Sequence, residues 1–89
     1  MKKHTKIYLK ENGYTTADII MCEIPGCGQV AVDIHHIDAR GMGGDKSKDV
    51  NENLIALCRK NHDEAETSKI SKEYLFMLAK RRIDANTGD

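Results

Sequence analysis

The sequence predicts an α+β fold: a small ββα core with flanking N- and C-terminal helices, in a single domain over 1–89. Three observations predict it. Two apolar runs, Gln29 to His36 and Leu54 to Leu57, are separated by a long polar stretch containing glycines, and both read as strands. The second run passes directly into Arg59 to Thr67, whose composition favours a helix. A further amphipathic segment follows Ser71, a residue suited to capping a helix.

Taken in order, Thr5 to Glu11 reads as a short helix stopped at Asn12-Gly13. Ala17 to Met21 is apolar enough for a strand or a helix, and leads into "CEIPGC". The only proline, Pro25, lies there with Gly26, and Gly28 follows, so Cys22 and Cys27 bracket a tight turn. Val30, Val32 and Ile34 alternate loosely through the first strand. Asp38 to Asn53, with Gly41, Gly43 and Gly44, reads as a loop. A loop that long in a compact domain is usually functional or disordered. The last helix runs from 71 to about 83 with Tyr74, Leu75 and Leu78 on one face, and "DANTGD" reads as a frayed tail.

Composition limits what can hold such a chain together. It has 89 residues, with three Tyr, one Phe and no Trp, so the core must be aliphatic: Ile19, Ile20, Val30, Val32, Leu54, Ile55, Leu57, Leu75 and Leu78. Small domains with thin cores often depend on a metal, disulfides or oligomerisation. Fourteen basic residues balance fourteen acidic ones, so no global field draws the chain to nucleic acid. Local basic groups stand at Lys2, Lys3, Lys6 and Lys10 and at Lys69, Lys72, Lys80, Arg81 and Arg82, where solvated surface lysines and arginines are the plain reading. No apolar run is long enough to span a membrane and no signal-peptide pattern is present. Three cysteines argue against a closed disulfide framework and for a reducing compartment, the cytoplasm.

The cysteines point to zinc. Cys22 and Cys27 flank a turn, and Cys58 stands where the second strand meets its helix; thiolates so placed converge on one tetrahedral ion. The fourth ligand is expected three residues after Cys58, and that residue is Asn61, a poor zinc ligand. The set is then incomplete, completed by His4, His62 or Asp63, or lost, leaving three small buried hydrophobes.

The histidines point to a second site. His35 and His36 are adjacent on a strand, so their side chains face opposite ways. A folded ββα hairpin brings the strand end close to the first turn of the following helix, where His62 lies. One imidazole of the pair joins His62 on a divalent metal, and its neighbour is free to act as a base.

"VDIHHIDARGMGG", "NENLIALC" and "RKNHDEAE" together resemble the HNH endonuclease family, the ββα-metal nucleases of treble-clef type. The resemblance covers about 22–66, and the three letters of the name fall on His36, Asn53 and His62. It implies a metal-dependent endonuclease that hydrolyses DNA phosphodiester bonds, a nicking enzyme included. It implies that His36 is the general base and that His35 and His62 hold the catalytic divalent metal (Mg, Mn, Ni or Zn). Asn53 would pin the loop and orient His36, while Cys22, Cys27 and Cys58 hold a structural zinc. Glu66, one helical turn beyond His62, is a further ligand, a carboxylate behind the ligands, or a solvated helix acid. Arg40, Lys46, Lys48, Arg59 and Lys60 would supply a phosphate-binding surface near the site. DNA is the expected partner, with a larger protein partner by analogy to phage-like members. The alternative is a non-catalytic zinc-knuckle module that binds nucleic acid or a protein, a reading that rests on Asn61.

Overall fold

The computed structural model describes residues 1–39 and 46–87. Among the described residues, three helices surround one antiparallel hairpin: α1 (Lys3–Glu11), β1 (Asp33–His36), β2 (Leu54–Leu57), α2 (Arg59–Glu66) and α3 (Lys72–Thr87). Two 3-10 turns, Lys46–Lys48 and Asn51–Asn53, precede β2. Arg40, Gly41, Gly43, Gly44 and the side chain of Lys46 lie outside the described residues, as do the last two residues of the tail. No helix among the described residues is long and apolar enough to cross a membrane.

Helix α1 begins two residues earlier than the sequence suggests and stops where expected. Gly13 adopts φ +74°, and the Tyr14 amide donates to Leu9 O at 2.8 Å, closing the helix with a left-handed glycine. The cysteine turn is likewise set by its glycines: Gly26 and Gly28 take φ +80° and +70°, which lets the Cys22 amide reach Gln29 O at 2.8 Å. The segment before it forms neither strand nor helix, and Met21 makes an isolated bridge to Val30.

The hairpin pairs Asp33 with Leu57, Ile34 with Ala56, His35 with Ile55 and His36 with Leu54. This register assigns its two faces. Ile34, Leu54 and Ala56 pack with Tyr8 of α1 on one side. Ile55 and Leu57 pack with Cys22, Ile37, Cys58, Leu75, Leu78 and Ala79 on the other. Both faces of β2 are covered, and all four of its residues are buried.

Several expectations need correction. The first strand is Asp33–His36 and does not start at Gln29. Ile19, Val30 and Val32 are 75%, 51% and 55% exposed, so they are not core. Val30 and Val32 instead line an open groove beside Cys27 and Cys58. Tyr74 is 38% exposed, because the inward face of α3 runs through Leu75, Leu78 and Ala79. Ser71 does cap α3, its Oγ accepting from the Tyr74 amide, but the helix continues to Thr87, through most of the stretch expected to fray.

Arg82 explains that continuation. Its Nη1 donates to both carboxylate oxygens of Glu23 at 2.9 and 2.8 Å and to Leu54 O at 3.0 Å. Its Nη2 donates to Asn51 O and Oδ1, both at 2.8 Å. The guanidinium lies over the Tyr8 ring at 4.8 Å. One side chain thus joins α3 to the cysteine turn, the β2 edge, the preceding 3-10 turn and α1. Tyr8 donates its hydroxyl to Glu23 at 2.8 Å, and burial together with the Glu23 charge pushes its pKa up.

Candidate functional site

The cysteine cluster is built by two elements. The left-handed turn supplies Cys22 and Cys27, and Cys58 is the N-cap of α2, its Sγ accepting from the Asn61 amide. One sulfur from each lies within 4.8 Å of the other two, and Cys27 Sγ stands 3.6 Å from Cys58 Sγ. Cys22 and Cys58 are buried, so the three are placed to hold a metal such as zinc. Asn61, at the position expected for the fourth ligand, is buried beside the thiols and donates Nδ2 to Cys22 Sγ at 3.3 Å. His4 and His62 belong to other clusters, so neither completes the thiolate set.

The histidines open onto a separate cleft of about 460 Å³, bordered by Lys2, His4, Asp33, His35, His36, His62 and Glu66. Strand alternation divides the two adjacent histidines. His35 faces α2, where its ring meets that of His62 edge-on at 5.1 Å between centroids. Glu66 Oε1 lies 3.4 Å from His62 Nε2 and 3.9 Å from His35 Nδ1, and Asp33 Oδ2 lies 3.5 Å from His62 Nε2. Most of these separations exceed the usual hydrogen-bond length. They resemble the spacing of about 3.4 Å between donors that share one tetrahedral cation at about 2.1 Å. His62 Nδ1 is buried with no hydrogen-bond partner among the described residues. Burial, and then the neighbouring His62, lower the pKa of His35, which favours the neutral, lone-pair-bearing imidazole.

His36 faces the other way. Its Nε2 lies 2.7 Å from Asp49 Oδ1, and Asp49 is buried. Beside it stands His4 of α1, the two ring centroids 4.2 Å apart. His4 Nε2 lies 2.9 Å from Ile34 O and must donate the proton, since a carbonyl only accepts. Burial, and then His36, lower the His4 pKa.

Asn53 lies under the loop. Its Oδ1 accepts from the Asp38 amide at 2.8 Å, and its Nδ2 donates to Asp38 O and Lys48 O, both at 2.9 Å. Asn53 therefore ties the start of the loop to its end, and its side-chain bonds go to the backbone and not to His36. The group on His36 is the Asp49 carboxylate, one residue beyond the Lys48 carbonyl that Asn53 holds. Sequence reading missed Asp49 and Asp33, and offered His4 as a possible zinc ligand without placing it beside His36. Asp33 carried a signal, since it shares a strand face with His35. The other two are brought in from outside the hairpin and carry none.

The basic residues are distributed differently from expectation. Lys48 and Lys72 are ion-paired with Asp38, and these pairs lower its pKa, the Lys48 hydrogen bond most. Arg59 and Lys60 border the groove beside the cysteines. Among the described residues lining the histidine cleft, the lysine is Lys2. Comparison with protein-family models, with curated proteins and with solved structures finds no match for this chain.

Proposed function

We propose that the chain is a metal-dependent endonuclease of the HNH type, hydrolysing DNA phosphodiester bonds. The observation that carries this reading is the division of labour at one strand end. His35 and His62 arrive from separate elements beside a shared carboxylate, while His36 borders the same cleft and is backed by Asp49.

In this reading Asp49 accepts the Nε2 proton of His36 and fixes its tautomer, so Nδ1 is the nitrogen with a free lone pair. His36 Nδ1 takes a proton from water, the resulting hydroxide attacks phosphorus, and the P–O3′ bond breaks, the departing 3′ oxygen taking its proton from solvent. Asp49 stabilises the imidazolium that forms. Asn53 acts on His36 indirectly, by holding the loop that carries Asp49. His35, His62 and Glu66 would hold a divalent ion (Mg, Mn, Ni or Zn), which would supply positive charge to offset the negative charge developing on the phosphate and the leaving oxygen. A zinc on the three thiolates would stiffen the turn from which α2 starts. One such site cuts one strand, so nicking is the expected product.

The second reading, a non-catalytic zinc knuckle, draws on the buried Asn61 at the position expected for the fourth ligand of the thiolate cluster. Plasmid relaxation with magnesium, manganese or nickel separates the two. The nuclease predicts chelator-sensitive nicking that His36→Ala reduces by about 10²–10⁴-fold, the usual range for a lost general base. Equal cutting by both proteins, or none with any of the three ions, favours the binding module.

A further inference from the structure

His4 lies outside the stretch that resembles a nuclease, yet its ring sits against that of His36. Three features make this more than a chance contact. One donor atom each of His4, His36 and Asp49 lies within 4.8 Å of the other two. Asp49 is 7% exposed, so a cation beside it is poorly screened by solvent. His4 also donates one ring nitrogen to a backbone carbonyl, Ile34 O. Metal-bound histidines almost always do this, because it fixes the tautomer and leaves the opposite nitrogen free to ligate. Here that nitrogen is Nδ1.

We infer that His4, His36 and Asp49 form a second cation site in the cleft, distinct from that of His35, His62 and Glu66. Two imidazoles and one carboxylate bind borderline first-row divalent ions, of which zinc is the representative, more tightly than magnesium or calcium, here as at the first site. His36 offers Nε2 and Asp49 offers Oδ1; the two atoms are 2.7 Å apart around a shared proton and part to about 3.4 Å when a cation takes its place. His4 contributes the third donor, a ring nitrogen within 4.8 Å of both, and its bond to Ile34 O leaves Nδ1 as the nitrogen free to ligate.

The chemical consequence falls on His36. Zinc at Nε2 takes the place of the proton there, and the neutral ring carries that proton on Nδ1, delivered through water with no net loss. Nδ1 then has no lone pair and accepts nothing. The site therefore acts as a brake: zinc bound there disables the base without leaving the cleft. Occupancy stands on the geometry alone, and the braking effect rests on the nuclease reading.

Equilibrium dialysis of the full chain against zinc, with elemental analysis, tests occupancy. His4→Gln and His35→Gln should each lose one equivalent, and the double variant two. If His4→Gln keeps every equivalent, or the double variant loses no more than His35→Gln alone, there is one histidine site and the inference falls. Imidazole nitrogen NMR of the unmutated chain needs no variant: zinc must shift His4 Nδ1 and His36 Nε2, and unmoved resonances overturn the site. Magnesium-supported plasmid nicking with added zinc reads the brake. Zinc should inhibit, and His4→Gln should raise the inhibitory concentration at least tenfold. Zinc that occupies the site by dialysis and NMR yet leaves nicking unchanged refutes the brake. No nicking under any ion sinks the nuclease reading, while dialysis and NMR still decide the site.

Discussion

Replacing Arg82 by alanine removes the guanidinium that four other segments share. The Arg82 and Glu23 side chains are 12% and 14% exposed, so the pair is largely desolvated. After the change Glu23 keeps the Tyr8 hydroxyl at 2.8 Å and the Ala56 amide at 2.7 Å, but its counter-charge is gone. The carbonyls of Leu54 and Asn51 lose a donor as well. Removing one member of a buried ion pair costs about 3–5 kcal/mol. A domain of this size has stability near the lower end of about 5–15 kcal/mol, so Arg82→Ala should leave the fold close to balance. With a urea m-value of about 1 kcal/mol/M, the midpoint should fall by about 3 M or more. The measurement is urea unfolding followed by circular dichroism at fixed zinc, because bound metal shifts the apparent stability. Arg82→Met combined with Glu23→Gln should be less harmful than the sum of the single changes, by about 1–3 kcal/mol of coupling. A loss below about 1 kcal/mol for Arg82→Ala, or strict additivity in the pair, would refute the claim that a desolvated charge pair closes this core.

Three further outcomes are expected. Asn61→Cys places a fourth thiol at the open corner of the cysteine cluster, so zinc should leave to a chelator more slowly than from the parent chain; faster loss would show that Asn61 is not at the ligand position. Ser68 adopts φ +63° just after α2, so Ser68→Gly should stabilise by about 0.5–1 kcal/mol in thermal melts, and a lowered melting temperature would contradict the strain. His35 and His4 have pKa values lowered from the ordinary 6.5, so between the folded values and 6.5 the unfolded chain binds more protons. With chelator present, their contribution is then complete above 6.5 and lost as pH falls through the folded values. Urea midpoints measured from about pH 7.5 to about pH 5 should decline, and a flat or rising profile would contradict it.

How far the sequence was legible follows from the range of each signal. The ββα order was readable because hairpin, cap and helix are local patterns, and Ser71 and Cys58 stand at the helix starts as read. The meeting of His35 with His62 was readable because a short hairpin leaves little freedom in where β1 ends relative to α2. Val30 and Val32 were misplaced because alternation says which residues share a face, not whether that face is covered. Pairing with β2 in the hairpin covers only Asp33 to His36. The length of α3 was underestimated because its last turns are held by distant partners. Arg82 reaches Glu23, and Asn86 Nδ2 reaches Asn12 Oδ1 at 3.0 Å. Asp49 was passed over as one polar residue in a polar stretch, and only the loop path held by Asn53 delivers it to His36. His4 likewise depends on where α1 docks.

The contact between Glu23 and Arg82 spans 59 positions, which matters during translation. Synthesis from the N-terminus completes the thiols, the hairpin and every histidine before it reaches the guanidinium that locks them together. A chain ending just before Arg82 would carry every residue of the motif without the side chain that ties the last helix to the cysteine turn.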